Sequence, residues 1–236
     1  MSTSLSGSTV LITGANGGLG VQFVTQALAR GAAKVYASAR TPRLWDDPRV
    51  VPLALDVTDE ASVAAAAELA GDVTIVVNNA GIPGSGALVT ESLAEVRRVF
   101  DTNFFGALAV AQKFAPVLAR NGGGALLDVH SVLSWIGLAG TYSASKAAFW
   151  SATNSLRIEL APQGTQVVGL HLGYTDTPMT AGIDAPMNDP ADVVRAAYDG
   201  LEAGELEVLA DELSASVKAG LAGPIGALYP QFASVS

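Results

Sequence analysis

The 236-residue chain contains no cysteine. That absence excludes a disulfide framework, thiolate catalysis and thiolate metal sites, and it fits a reducing compartment. Charge is sparse and lopsided: 13 Lys and Arg stand against 22 Asp and Glu, a net charge of -9. A surface of that sign repels nucleic-acid phosphates and anionic lipid, so neither is an expected partner and an anion can be held only locally. Long apolar runs are missing as well. Each apolar stretch meets a charge or a Gly/Pro cluster before it could span a bilayer, and MSTSLSGSTVLIT has no basic segment leading into an apolar one. The expectation is a cytoplasmic protein whose partner is a small molecule. Half of the residues are hydrophobic, enough to bury a core without metal or disulfide staples, and one domain over residues 1–236 is expected.

What the chain does have is alternation. Short β-rich runs at 9–13 (TVLIT), 34–38 (KVYAS), 50–55 (VVPLAL), 73–77 (VTIVV), 125–130 (ALLDVH) and 165–172 (TQVVGLHL) are separated by helical stretches at 18–30, 60–70, 91–119, 141–161 and 190–203. Thr58, Thr90 and Asp189 stand where N-caps would. This is the pattern of an α/β fold with βαβ units around a parallel sheet, and strands apolar almost throughout imply helices on both faces.

The first run leads into Thr13-Gly-Ala-Asn-Gly-Gly-Leu-Gly20 and then a helix. Glycines at 14, 17, 18 and 20, with Asn16 and Leu19, would let the backbone approach a pyrophosphate, and the helix N-terminus supplies free N–H groups. The spacing of Gly14, Gly18 and Gly20 is G-x-x-x-G-x-G, not the common G-x-G-x-x-G. No Asp or Glu occurs between Val21 and Trp45 to hold ribose hydroxyls; Arg40, with Arg43 nearby, instead suits a 2'-phosphate and favours NADP(H) over NAD(H). Asp56 with Val57 after the third run, and NNAG (Asn78, Asn79, Ala80, Gly81) after the fourth, lie at strand C-termini, where such sheets bind ligands, though Asp and Asn also form turns.

Tyr142 and Lys146, at i and i+4, share a helix face. A neighbouring ammonium favours phenolate, so the pair is suited to passing a proton to a ketone as hydride arrives. Ser131 could hydrogen-bond the same oxygen. Ser134, closer to the tyrosine and deeper in the loop, is the poorer candidate. His130 beside Ser131 invites a Ser-His hydrolase reading, but adjacent strand residues point to opposite faces.

This ordered set resembles the classical short-chain dehydrogenase/reductase family over nearly the whole chain: TGANGGLG at 13–20, Asp56, NNAG at 78–81, Asn103 in DTNFFG, Ser131, YSASK at 142–146 and LGYTDT at 172–177. The resemblance implies a three-layer, doubly wound Rossmann-like parallel sheet of about seven strands that binds NADP(H). It implies Tyr142 as acid/base, Lys146 on the nicotinamide ribose, Ser131 on the substrate carbonyl and Asn103 holding a water that links Lys146 to solvent. Gly173, Thr175 and Thr177 would join the cofactor site, with Thr177 on the carboxamide. A homodimer or homotetramer through the helices carrying Asn103 and Tyr142 is implied by analogy.

Departures from the family pattern are specific. Ser131 precedes Tyr142 by only 11 positions, Leu172 replaces a usual proline, and Asp128 and His130 stand where an amide and a small or apolar residue are commoner. The loop near 178–190 should cover the substrate, with Leu133, Trp135, Tyr174, Met179, Ile183 and Met187 as an apolar pocket. The expected activity is reduction of an apolar or aromatic ketone, or oxidation of the matching secondary alcohol. The alternatives are an NAD-dependent alcohol dehydrogenase of the same family and a silent NADP-binding sensor. GPIGALYPQF near the C-terminus could pack at a subunit interface or cover its own subunit.

Overall fold

The computed structural model describes residues 3–84 and 87–229. Seven strands form one parallel sheet in the order β3-β2-β1-β4-β5-β6-β7. They are β1 (Thr9–Thr13), β2 (Lys34–Ala39), β3 (Val50–Ala54), β4 (Ile75–Asn78), β5 (Ala125–Val129), β6 (Gln166–His171) and β7 (Glu207–Leu209). The six apolar runs all pair. β7 is the strand that periodicity does not reveal: three residues at a sheet edge, beginning with a glutamate, carry too little pattern.

Strand alternation sorts the core into two clusters. Val10, Ile12, Ile75, Val77, Leu127 and Leu170 face one layer, formed by α1 (Leu19–Ala29) and α6 (Pro190–Ala203). Leu11, Val76, Leu126 and Val167 face the other, formed by α2 (Glu60–Leu69), α4 (Ala107–Arg120) and α5 (Gly140–Leu160). Phe23 and Tyr198 lock α1 to α6, their rings edge to face at 5.4 Å and the Tyr198 hydroxyl donating to the Phe23 carbonyl at 2.9 Å.

Helix starts differ from the sequence reading at two of three caps. Asp59, not Thr58, caps α2, because the Asp56 carboxylate takes both the Thr58 N–H and hydroxyl and so closes a turn one residue earlier. Ser92, not Thr90, caps α3 (Leu93–Phe100), while the Thr90 hydroxyl donates to the Ala87 carbonyl. Asp189 caps α6. The single helix expected over 91–119 is interrupted by a π-helical turn at Asp101–Gly106, where Gly106 lies against Val57: an added Cβ would stand 2.8 Å from its side chain. Such turns are frequent at functional sites. After β7 come α7 (Glu212–Gly220) and α8 (Ile225–Leu228).

The order in which strands are added reverses between β1 and β4, the innermost pair, with β2 and β3 on one side and β5 to β7 on the other. The crevice at their C-terminal ends is where an open α/β sheet binds its ligand. Among the described residues, no helix is long and apolar enough to cross a membrane.

Candidate active site

Two cavities open along the C-terminal edge of the sheet, of about 770 and 830 Å³, and Gly14, Ala80 and Gly81 line both. The first also takes Gly17, Gly18, Leu19, Asn79, Ser131, Tyr142, Lys146, Gly173, Thr175 and Thr177; the second takes Asn16, Arg40, Asp56 and Val57. Of the sequence-predicted residues, Gly20 and Asn103 stand behind these walls.

Gly20 explains the turn's shape. A Cβ there would lie 2.2 Å from the Gly14 carbonyl oxygen, so only glycine lets α1 start this close to the end of β1. Gly14 has φ 67 and Gly18 φ 52, in the left-handed region. Short polar bonds fix the remainder: the Thr13 hydroxyl accepts from the Asn79 and Ala80 N–H groups at 2.9 Å, and the Asn79 amide donates to the Thr13 carbonyl at 2.8 Å. Asn16 donates to the Thr41 carbonyl at 2.7 Å and accepts from the Arg43 N–H at 3.3 Å, tying the glycine turn to the segment after β2. Arg40 is exposed beside the second cavity, and with the Thr58 bonds its charge helps hold the Asp56 carboxyl below the usual range. The Arg43 guanidinium instead stacks over Trp45, 3.9 Å from its centroid.

At the other end, Ser131 stands two residues past β5 and Tyr142 lies in the first turn of α5. A Ser131 hydrogen bond pulls the Tyr142 phenol down, but burial outweighs it and pushes the phenol up to about 12. The expected pull of Lys146 toward phenolate does not offset this rise. The Lys146 ammonium donates to the Val129 carbonyl at 2.8 Å and lies 5.9 Å from the Tyr142 ring centroid. Burial lowers Lys146 to about 8, and the Asp128 carboxylate opposes that fall. Asp128, wholly buried on β5, accepts from Asn78 at 3.1 Å and Thr153 at 2.6 Å and is itself raised to about 6, chiefly by desolvation.

Asn103 acts as a clasp. Its side chain accepts from the Ile82 N–H at 2.8 Å and donates to the Ile82 carbonyl at 2.9 Å and the Ser145 hydroxyl at 3.1 Å, joining the π-helical turn, the chain after β4 and α5. The carboxamide is therefore engaged with protein. Ser134 turns away: its hydroxyl donates to the Ser131 carbonyl and contacts His171 Nδ1 at 3.3 Å. The His130 ring packs on Phe149 and His171, at 4.7 and 4.9 Å between centroids, away from a serine nucleophile, and burial beside His171 and Lys146 keeps it neutral.

Leu133, Tyr174, Met179 and Ile183 line the first cavity as read from sequence; Trp135 and Met187 do not. Trp135 stacks on His171 at 3.9 Å and meets Trp150 edge-on, a position made by tertiary contact alone. Ile136, Leu138, Leu172 and Leu213 complete the apolar wall, and Leu213 carries no signal in its local sequence. Tyr229 covers its own subunit, its hydroxyl accepting from the Gly137 N–H at 2.8 Å; Pro230, Gln231 and Phe232 of the GPIGALYPQF stretch lie outside the described residues.

A family model described as short chain dehydrogenase matches residues 8–188. The chain belongs to the short-chain dehydrogenase family. It is thus an oxidoreductase of a family whose substrates are small molecules. A short-chain dehydrogenase from Burkholderia cenocepacia, solved in complex with NADP, is 35% identical and superposes with a TM-score of 0.91 over 97% of this chain and 98% of its own. A 3-alpha-(or 20-beta)-hydroxysteroid dehydrogenase of Mycobacterium bovis is 33% identical over 76% of this chain and 74% of its own. The NADPH-dependent 1-acyldihydroxyacetone phosphate reductase of Schizosaccharomyces pombe is 35% identical over 71% of this chain and 60% of its own.

Proposed function

We propose that this short-chain dehydrogenase is an NADPH-dependent carbonyl reductase acting reversibly on neutral, apolar or aromatic ketones and the matching secondary alcohols. One observation carries the reading: Ser131, Tyr142 and Lys146 share a cavity that runs from the glycine turn to an apolar wall. NADPH, when bound, supplies the hydride. The residues fit it. Gly14 and Gly18 leave a cradle that side chains could occupy only with strain, α1 opens on that cradle, and Arg40 offers a guanidinium for a 2'-phosphate. Asn16, Gly17, Leu19, Asp56, Val57, Asn79, Ala80, Gly81, Gly173, Thr175 and Thr177 would line the same ligand. The NADP and NADPH named for two of the relatives support this choice.

Ser131 Oγ and the Tyr142 hydroxyl hold the carbonyl oxygen, and the phenol gives its proton to that oxygen as the carbon is reduced. A phenol raised to about 12 keeps its proton at neutral pH, which suits a donor. Lys146, still largely ammonium at neutral pH, holds the ribose and stabilises the tyrosinate that proton donation leaves. Among the described residues lining this cavity, Lys146 is the one charged side chain, so no cation remains for a substrate phosphate or carboxylate. That favours a neutral ketone, as in the steroid class named for the mycobacterial relative, over a phosphate ester. The loop at 178–190 covers the substrate in this reading, and the chain works as a cytoplasmic homo-oligomer, with Phe105 and Ile158 exposed on the helical face expected to pair.

The test is oxidation of NADPH, followed at the nicotinamide absorbance, against neutral and anionic ketones. Turnover of neutral apolar members is expected. Turnover of phosphorylated members only, or with NADH only, would contradict the reading; tight NADPH binding with no turnover would make the chain a sensor.

A further inference from the structure

β7 pairs with β6 in the register His171↔Leu209, and the same offset carried two residues on sets Gly173 beside Asp211. There the Asp211 carboxylate accepts three hydrogen bonds. Oδ2 takes the Gly173 N–H at 2.6 Å and the Asn188 side-chain amide at 2.7 Å, while Oδ1 takes the Ser214 N–H at 2.7 Å and so caps α7. Gly173 and Asn188 are the two ends of the loop that carries Tyr174, Met179 and Ile183. The loop's neck is closed by the Asn188 N–H donating to the Tyr174 carbonyl at 2.8 Å and the Asp176 N–H donating to the Asn188 carbonyl at 3.0 Å. Two residues after Asp211, Leu213 reaches the same cavity, its Cδ2 3.1 Å from where a Cβ on Gly173 would stand.

We propose that Asp211 is a positioning residue for substrate selection: it pins both ends of the covering loop to the start of α7, and so fixes Leu213 opposite Tyr174, Met179 and Ile183 as the mouth of the cavity. All three of its partners are donors, so a carboxylate, an acceptor at both oxygens, meets them together where an amide would set an N–H₂ against another donor. The pin touches none of the reacting atoms, and of the residues expected to line the cofactor it bonds only the Gly173 N–H. Its loss should loosen how bulky ketones are held more than it weakens cofactor binding, and leave proton transfer in place. This inference rests on the ketone reading for its kinetic arm alone.

Asp211→Ser separates the two jobs of the side chain, since serine still caps a helix but does not span to Gly173 and Asn188. The expected result is a KM for bulky ketones raised about tenfold, with kcat changed by less than about threefold. NADPH affinity should fall by less than that KM rises, Tm should fall slightly, and amide hydrogen exchange in residues 173–188 should be faster. Asp211→Ala, which removes the cap as well, should match the serine variant in KM and exchange while losing more stability. Unchanged KM and unchanged exchange in both variants would overturn the proposal, as would a loss of Tm with no change in either. If the wild-type chain reduces no ketone, the functional reading fails on its own, and the exchange comparison still decides whether Asp211 pins the loop.

Discussion

At the nucleotide end the cavity is shaped by residues within a few positions of a strand terminus: Gly14 to Gly20 after β1, Arg40 after β2, Asp56 after β3 and Asn79 to Gly81 after β4. At the substrate end the wall is assembled from segments far apart in the chain, with Leu133, Ile183 and Leu213 meeting through ties such as Gly173 to Asp211 and Gly137 to Tyr229. The first end is backbone and polar, the second apolar side chain. Local geometry leaves a local sequence signal, and tertiary assembly does not. The cofactor half of the site is therefore constrained by short motifs, while the selective half is free to vary with whatever packs beneath it.

The comparison can be broken most severely within the glycine turn. Gly20→Ala sets a Cβ against the Gly14 backbone and should abolish NADPH binding and lower Tm sharply, whereas Gly17→Ala, with open space around it, should leave Tm intact. Thermal melts with and without NADPH check both. A smaller effect is expected at the outer edge of the same end. Arg40→Asp should lower the NADPH/NADH ratio of kcat/KM by about ten- to a hundredfold, the worth of one hydrogen bond to a charged group, and an unchanged ratio would remove the arginine from the cofactor site.

Between the two ends lies Asp128, and its substitution should be milder still in its effect on activity. The folded protein raises this carboxyl from 3.8 to about 6, so its ionised form is disfavoured by folding. The cost is absent below about pH 4, grows as pH rises towards 6 and is complete above it. Asp128→Asn should accordingly stabilise the protein by about 3 kcal/mol at pH 8 and by less than about 1 kcal/mol near pH 4. The Thr153 hydroxyl, 3.0 Å from the Phe149 carbonyl, can donate there and accept from the new amide. Since Asp128 also supports the Lys146 charge, the fall in reductase activity as pH rises through about 8 should move to lower pH in this variant. Melts across pH and a kcat/KM profile read both effects.

How much was legible follows the same division. Six of seven strands and the three-layer arrangement follow from alternation, because strands buried on both faces are apolar throughout. The residues of the glycine turn and the Tyr142-Lys146 pair are brought to one edge of the sheet as their spacing suggests, because helix and strand periods fix directions over a few residues. The π-helical turn at Asp101–Gly106 leaves no mark in the hydrophobic period, so a single helix was the natural reading. Trp135 sits in the loop that looked like a pocket wall, but the imidazole of His171, one strand away, draws it into a stack. Asp211 draws no reading from its local sequence, and only the β6–β7 register reveals what it holds.

The central claim is that the Tyr142 phenol is the proton donor of a carbonyl reductase. Replacing it by phenylalanine removes one hydroxyl and keeps the ring, so kcat for reduction of a neutral ketone should fall by about 10²–10⁴ while NADPH affinity stays near wild type. A Tyr142→Phe protein that turns over the ketone at the wild-type rate would contradict the account.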